Sequence, residues 1–413
     1  SICGIYQLIK LRELNADALV LDKNADVGGT WFNNRYPGCR FDSESYTYGL
    51  SFSDEVLQEW DWTEHFSPQP ETLRYLNFLT DKFHLRKDMQ FNCTVPAMQW
   101  EESSRTWGIS LEDGRKYRSR FLITALGLLS AKTPPRYPGM ERFTGLSFHT
   151  YDWPHDPPSL AGKRVAVIGT GATGVQVISA IADQVGELVV YQRRPNWCAP
   201  LHNRKITPEE MEGIRSRYEE IFATCARTPG GFIHAPDPRS FFDVPAEERH
   251  AFWEHLYSTP GFEKCVGNFR EVLMDENANA EFTEFIANKI RGRVKDPDLA
   301  EKLIPRDHGF GVQRVPLETR YYEAYNRDNV HLVEIEKTPI EEITEKGIRT
   351  SDGEREFDII VYATGFDAVT GSFDRIDITG VNGQKLRDLW SDDPHTYLGI
   401  FVHGFPNLIM LAG

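Results

Sequence analysis

Cysteine is scarce in this sequence: six residues in 413, at positions 3, 39, 93, 198, 225 and 265. None pairs at the spacing of metal ligands, and the pattern is not that of a disulfide-stapled domain. The six read as free thiols in a reducing compartment, and no metal is expected. No apolar run approaches the roughly 20 residues that a membrane-crossing helix needs. No signal-peptide pattern opens the chain. Positive charge is in deficit, with 46 Lys and Arg against 61 Asp and Glu and a net charge of −15. That balance argues against nucleic acid and against an anionic membrane surface as partners. A cytoplasmic globular protein of two or three domains is expected, its oligomeric state unread.

The chain is rich where glycine matters. Val165-Ala-Val-Ile is an apolar run that leads into Gly169-Thr170-Gly171-Ala172-Thr173-Gly174 and then into Val175-Gln176-Val-Ile. This is the strand, glycine turn and helix of a dinucleotide fold. Gly169 permits the turn, Gly171 lets the backbone approach a pyrophosphate, and Gly174 allows close helix–strand packing. The helix N-terminus offers unpaired N–H groups and a positive dipole end to that pyrophosphate. A purely structural turn is the alternative, and the flanking apolar runs disfavour it. After the next strand, Leu188–Gln192, an acid selective for NAD would be expected. Arg193-Arg194 stands there instead. Two guanidiniums suit a 2′-phosphate, which favours NADP; a solvated basic pair is the alternative.

A second nucleotide site is suggested near the start. Ser1-Ile-Cys-Gly4 reads as the end of a glycine turn entering a helix, with Gly4 as a third fingerprint glycine. Leu19-Val-Leu-Asp22 reads as a strand ending in an acid that accepts from ribose hydroxyls. The first glycines would then lie upstream of residue 1, and Phe405–Gly413 reads as a buried strand cut short, so the chain reads as truncated at both ends. Directly after Asp22 comes Gly28-Gly29-Thr30-Trp31-x-x-x-x-Tyr36-Pro37-Gly38-x-x-x-Asp42.

Residues 95–120 read as a β-meander with an Asp113-Gly114 hairpin turn, followed by a buried strand over 121–127. The same order recurs at 340–365. Residues 206–305 carry helical apolar spacing over 209–222, 246–256 and 280–294. The fold expected is α/β, with two Rossmann-type dinucleotide-binding domains and a helical insertion in the second. The boundaries are 1–142 for the first domain, with a return at about 380–413. The second takes 143–205 and 306–379, with 206–305 inserted.

A further motif is Phe143-x-Gly145-x-x-x-His149-x-x-x-Trp153-Pro154. With the Gly28–Asp42 segment, it makes the chain resemble the type I Baeyer–Villiger monooxygenases over nearly its whole length. The 190–330 region looks most like the bacterial phenylacetone and terpenoid-ketone members. The resemblance implies FAD and NADPH as cofactors, with a ketone and O2 as substrates. It implies oxygen insertion beside the carbonyl, through a peroxyflavin, to an ester or lactone. Arg314 resembles the catalytic arginine and Asp42 its carboxylate partner. Gly4, Asp22, Gly29, Thr30, Trp31, Asp42, Tyr48 and Val95 match flavin positions. Gly169 to Gly174, Gln176, Arg193, Arg194 and Gln313 match nicotinamide-cofactor positions. Phe143, Gly145, His149 and Trp153 fall on what the resemblance makes an inter-domain linker.

Three positions depart from the family pattern. Gln313 replaces a common lysine, Asp22 a usual glutamate, and Leu126 a usual threonine. The alternatives are a flavin monooxygenase acting on nitrogen or sulfur, and a folded fragment that carries no FAD.

Overall fold

The computed structural model describes residues 1–411. The chain forms two compact units. The first comprises Ser1–Asn34, Thr72–Thr133 and the stretch from Gly365; the second comprises Arg35–Glu71 and Pro134–Thr364.

The second unit is built on a five-stranded parallel sheet. Its order is Val330–Glu334, Glu187–Gln192, Arg164–Ile168, Ile359–Tyr362, Leu146–His149. The middle strands read as nearly continuous apolar runs because both faces are covered, as parallel sheets require. From Arg164–Ile168 the chain runs outward through Glu187–Gln192 to Val330–Glu334 on one side, while Ile359–Tyr362 joins on the other with Leu146–His149 beyond it. The chain direction across the sheet therefore switches between Arg164–Ile168 and Ile359–Tyr362, which is where such sheets bind ligands at the carboxyl ends of their strands. The meander Ile340–Ile343, Gly347–Thr350, Gly353–Glu356 is antiparallel and contributes Ile343 and Ile348 to a core with Tyr191, Phe357 and Tyr362.

Between strands Glu187–Gln192 and Val330–Glu334 lies the helical block. Its main helices are Pro208–Arg215, Tyr218–Cys225, Ala246–Ser258, Glu276–Arg293 and Pro297–Leu303, and 206–305 holds no β-strand. Caps written into the sequence start three of them. Thr207 and Glu210 form a reciprocal capping box, and the Asp275 and Asp296 carboxylates accept from first-turn N–H groups. The expected single helix over 209–222 is two helices, broken at Ser216–Arg217. There the Ser216 hydroxyl donates to the Gly213 carbonyl at 2.9 Å, competing with the helix ladder. Trp253, Phe282 and Phe285 form the block's aromatic centre.

The first unit is less continuous. Helix Ile2–Glu13 precedes strand Val20–Leu21, which pairs in parallel with Met89–Gln90. The meander Ala97–Glu101, Thr106–Ser110, Lys116–Ser119 forms as expected, and Asp377–Thr379 adds to its edge in parallel. Trp100, Trp107, Phe373, Trp390 and Phe405 form its core, with the Trp107 indole donating to the Pro406 carbonyl at 2.8 Å. The buried strand expected over 121–127 is only Leu122–Thr124, and Phe121 is exposed. Its pairing partner, Leu408–Met410, is itself three residues long. Gly413 lies outside the described residues. The compact units also divide the chain differently from the sequence boundaries. Residues 35–71 cluster with the second unit, and the first resumes at Gly365.

Candidate active site

The glycine turn stands at the switch point of the second unit's sheet. Gly169 has φ = +113°, and a Cβ there would strike the carbonyl oxygen of Ala363 on the neighbouring strand end. A Cβ at Gly174 would strike the carbonyl oxygen of Gly169. At Gly171, by contrast, a Cβ would meet nothing within 4 Å, so the space above this residue is open. Helix Ala172–Ile181 begins there without a side-chain cap, leaving its first N–H groups unpaired toward that opening. The buried Thr170 hydroxyl donates to the Arg194 carbonyl at 2.9 Å, tying the turn to the arginine pair. Arg193 and Arg194 are both exposed, as is Gln313.

The loop Arg35–Asp42 packs on the same helix. Gly38 has φ = +82°, and a Cβ there would come within 2.6 Å of the Gln176 carbonyl oxygen. The Tyr36 hydroxyl donates to Gln176 Oε1 at 3.0 Å, and Gln176 Nε2 donates to the Arg40 carbonyl at 3.0 Å. Gln176 therefore has a structural role that sequence reasoning missed. The density of Tyr, Pro and Gly in 36–38 was the only signal.

The loop ends on Asp42, which is buried. Arg314 Nη2 donates to both of its oxygens at 2.8 Å, while the Arg314 side chain stays 56% exposed. Asp42 also accepts from Leu317 N–H at 3.4 Å, which anchors it to strand Leu317–Glu318. A fixed carboxylate thus presents a fixed guanidinium outward. Burial pushes the Cys39 and Cys265 thiols up to about 12, so both stay protonated and serve as packing.

Two residues beyond Asp42, Glu44 belongs to a polar cluster with His234. Glu44 is buried and accepts from His234 Nε2 at 2.7 Å. The Thr259–Gly261 turn packs against it, and the buried Lys264 ammonium donates to the Thr259 and Gly261 carbonyls at 2.7 and 3.0 Å. Burial lowers the Lys264 pKa to about 8. Between that value and the ordinary one near 10.5, the unfolded chain binds a proton that the folded chain has lost. Stability from this residue therefore rises with pH across that window, by about 3 kcal/mol in all. Urea midpoints of the wild type and Lys264→Met at pH 7.5 and 10 check it. The expected result is a gap between the two proteins that changes with pH in the wild type's favour. A pH-independent gap removes the assignment.

In the first unit, Asp22 follows strand Val20–Leu21, and its carboxylate lies 3.9 Å from the Ser1 nitrogen at the start of helix Ile2–Glu13. A Cβ on Gly29 would come within 3.0 Å of Ser1 Cα, so this glycine, too, sits against the helix start. Gly4 lies in the first turn, its N–H donating to the Ser1 hydroxyl at 3.1 Å. Thr30 and Trp31 open the short helix Thr30–Asn33, and Val95 borders the tryptophan core. Tyr48 belongs to the second unit and stacks on Phe41 at 4.1 Å.

Phe143, Gly145, His149 and Trp153 do not lie on an open linker. Leu146–His149 is the edge strand of the second unit's sheet, in register with Ile359–Tyr362. His149 and Trp153 are both buried, His149 Nδ1 accepting from Tyr151 N–H at 3.0 Å and Trp153 packing edge-on against Phe148. A Cβ on Gly145 would fall 2.7 Å from the Asp358 carbonyl oxygen, so the signature glycine is what lets this strand enter the sheet.

Comparison with known proteins agrees with this geometry. Residues 15–226 match the family model for flavin-binding monooxygenase-like proteins. The chain is 48% identical over 419 residues to 2-oxo-Δ3-4,5,5-trimethylcyclopentenylacetyl-CoA monooxygenase of Pseudomonas putida, covering all of this chain and 77% of that protein. It is 41% identical over 413 residues to the methyl acetate-forming acetone monooxygenase of Gordonia sp. (strain TY-5), again covering 77% of that protein. A crystal structure of OTEMO in complex with FAD and NADP superposes with a TM-score of 0.97 at 48% identity, over 99% of this chain and 78% of that one. The chain belongs to the Baeyer–Villiger-type flavin-binding monooxygenases.

The residues present fit the two cofactors of this family. The open space above Gly171 and the uncapped helix beside it suit a pyrophosphate. In the first unit, Asp22 and Gly29 meet at the start of a twelve-residue helix, the placement that a ribose acid and a close backbone approach require.

Proposed function

We propose that this protein is an FAD- and NADPH-dependent monooxygenase that inserts one oxygen atom of O2 beside the carbonyl of a ketone, giving an ester or lactone. The observation that carries the reading is the exposed Arg314 guanidinium clamped by both oxygens of buried Asp42. When bound, FAD supplies the oxygen activation and NADPH the hydride. The chain's own residues supply binding, orientation and charge. Helix Ala172–Ile181 and the Gly169–Gly171 turn receive the nicotinamide cofactor's pyrophosphate. Asp22 accepts from a flavin-side ribose, and Gly29, Thr30 and Trp31 border that site. In this assignment the first unit is the flavin domain and the second, which holds Tyr48, Asp42 and Arg314, is the NADP domain.

Oxygen transfer to a carbonyl places negative charge on oxygen, and a fixed cation stabilises that charge in the transition state. Arginine suits the task because it stays protonated at any working pH. Asp42 holds the guanidinium in one orientation, so no reorganisation is needed as the charge develops. The relatives' names refer to a cyclopentenylacetyl-CoA and to acetone, and a ketone carbonyl is the common chemistry. The six unpaired cysteines support a cytoplasmic location. No helix among the described residues is long and apolar enough to cross a membrane.

The test is a panel of small cyclic and acyclic ketones with FAD, NADPH and isotopically heavy O2. The expected product is an ester or lactone carrying one heavy oxygen. Oxidation confined to thioethers or amines would assign the protein to the nitrogen- and sulfur-oxidising alternative. A colourless protein that takes up no flavin would make it a folded, non-catalytic chain.

A further inference from the structure

The two arginines after strand Glu187–Gln192 are not equivalent. Arg194 Nε donates to Glu336 Oε1 at 3.2 Å, and its Nη1 lies 3.7 Å from Asp307 Oδ2. Both carboxylates come from within the second unit. Glu336 follows the adjacent strand Val330–Glu334, and Asp307 lies on the segment leading to Arg314. His308 Nδ1 holds the other Asp307 oxygen at 2.7 Å, which keeps that carboxylate in place. Arg193 is exposed and makes no ion pair among the described residues.

The cluster therefore holds two positive and two negative charges, with both negative ones directed at Arg194. A 2′-phosphate arriving here meets one available guanidinium, one occupied guanidinium and two carboxylates that repel it. We propose that Glu336, together with Asp307, sets the donor selectivity of this site by holding Arg194 away from the 2′-phosphate, so that Arg193 alone recognises it. This rests on the NADPH reading above. Glu336 is then a specificity-determining residue: it moderates the preference for the phosphorylated donor that an unrestrained arginine pair would create.

Binding of two fragments to the full chain tests this by calorimetry at low salt: adenosine 2′,5′-bisphosphate, which carries the phosphate, and ADP, which lacks it. Glu336→Gln removes the charge, keeps the size, and alters a side chain that is more than half exposed. An exposed ion pair is worth at most about 1 kcal/mol, so its release should raise affinity for the bisphosphate about threefold to fivefold and leave ADP unchanged. The gain should shrink as salt is added. It should vanish in Arg194→Ala/Glu336→Gln, because the freed guanidinium is then absent. Arg194→Ala alone should change bisphosphate affinity by less than about twofold, whereas Arg193→Ala should lower it about tenfold. An unchanged ratio of the two ligands in Glu336→Gln overturns the proposal, as does an Arg194→Ala loss equal to that of Arg193→Ala. If the wild type binds neither fragment, the nucleotide-site reading falls and takes this proposal with it.

Discussion

Arg314→Ala is expected to lower ester formation by about a hundredfold or more while NADPH still reduces the flavin. The expectation follows from where the charge sits. Asp42 is buried and accepts twice from one guanidinium nitrogen, the other terminal nitrogen donates to the Val315 carbonyl at 3.3 Å, and the arginine side chain stays 56% exposed. Alanine removes the cation and leaves a buried carboxylate with only the Leu317 N–H among its observed donors. Losing one preorganised charge stabiliser typically costs about 3 kcal/mol in the transition state. Asp42→Asn should lie between wild type and Arg314→Ala, because the guanidinium remains but loses its charged clamp. The measurement is ester formed per NADPH consumed, with hydrogen peroxide followed alongside. Continued NADPH consumption with peroxide in place of ester is the expected pattern. Ester formation at a near-normal rate would remove Arg314 from the mechanism.

Gly174→Ala and Gly171→Ala should separate packing from binding in the same turn. The Cβ at 174 collides with the Gly169 carbonyl, which lies in the backbone and cannot yield as a side chain end would. Destabilisation of about 2 kcal/mol or more is expected, with NADP binding lost as helix and strand are pushed apart. At 171 the added methyl group meets nothing within 4 Å, and the backbone φ is an ordinary −73°. Gly171→Ala should therefore fold with little loss of stability and yet bind NADP at least about tenfold more weakly, because the methyl group fills the space assigned to the pyrophosphate. Denaturant midpoints and NADP titration of both variants check this. Undiminished NADP binding by Gly171→Ala would place the cofactor elsewhere.

Much of the fold was legible in the sequence because its signals are local. The Arg164–Gly174 strand and turn, the two meanders and the helices of 206–305 each announce themselves within a dozen or so residues, through apolar period, glycine placement and caps. The family resemblance then supplied Arg314 and Asp42 as a pair. No periodicity could have done so, since they lie 272 residues apart. Where local signals were weak, the reading drifted. Phe121–Gly127 looked like a buried strand, but a strand extends only as far as its neighbour, and Leu408–Met410 is short. The family resemblance put Phe143–Trp153 on a linker, and its own sequence does not reveal that Ile359–Tyr362 has an edge for Leu146–His149 to join.

By itself, then, the sequence determined the fold class, the glycine turn, the helical insertion and the residue types available for charge stabilisation. These depend on steric and hydrogen-bonding preferences that act over a few residues. Only the tertiary structure decided which groups face one another. It set Tyr36 against Gln176, assigned 35–71 to the unit that carries Arg314, and gave Arg194 two carboxylates that Arg193 lacks. Each of these rests on contacts between segments far apart in the chain. Which distant segments meet is settled by the packing of the whole sheet and its insertion, and no stretch of sequence encodes that alone.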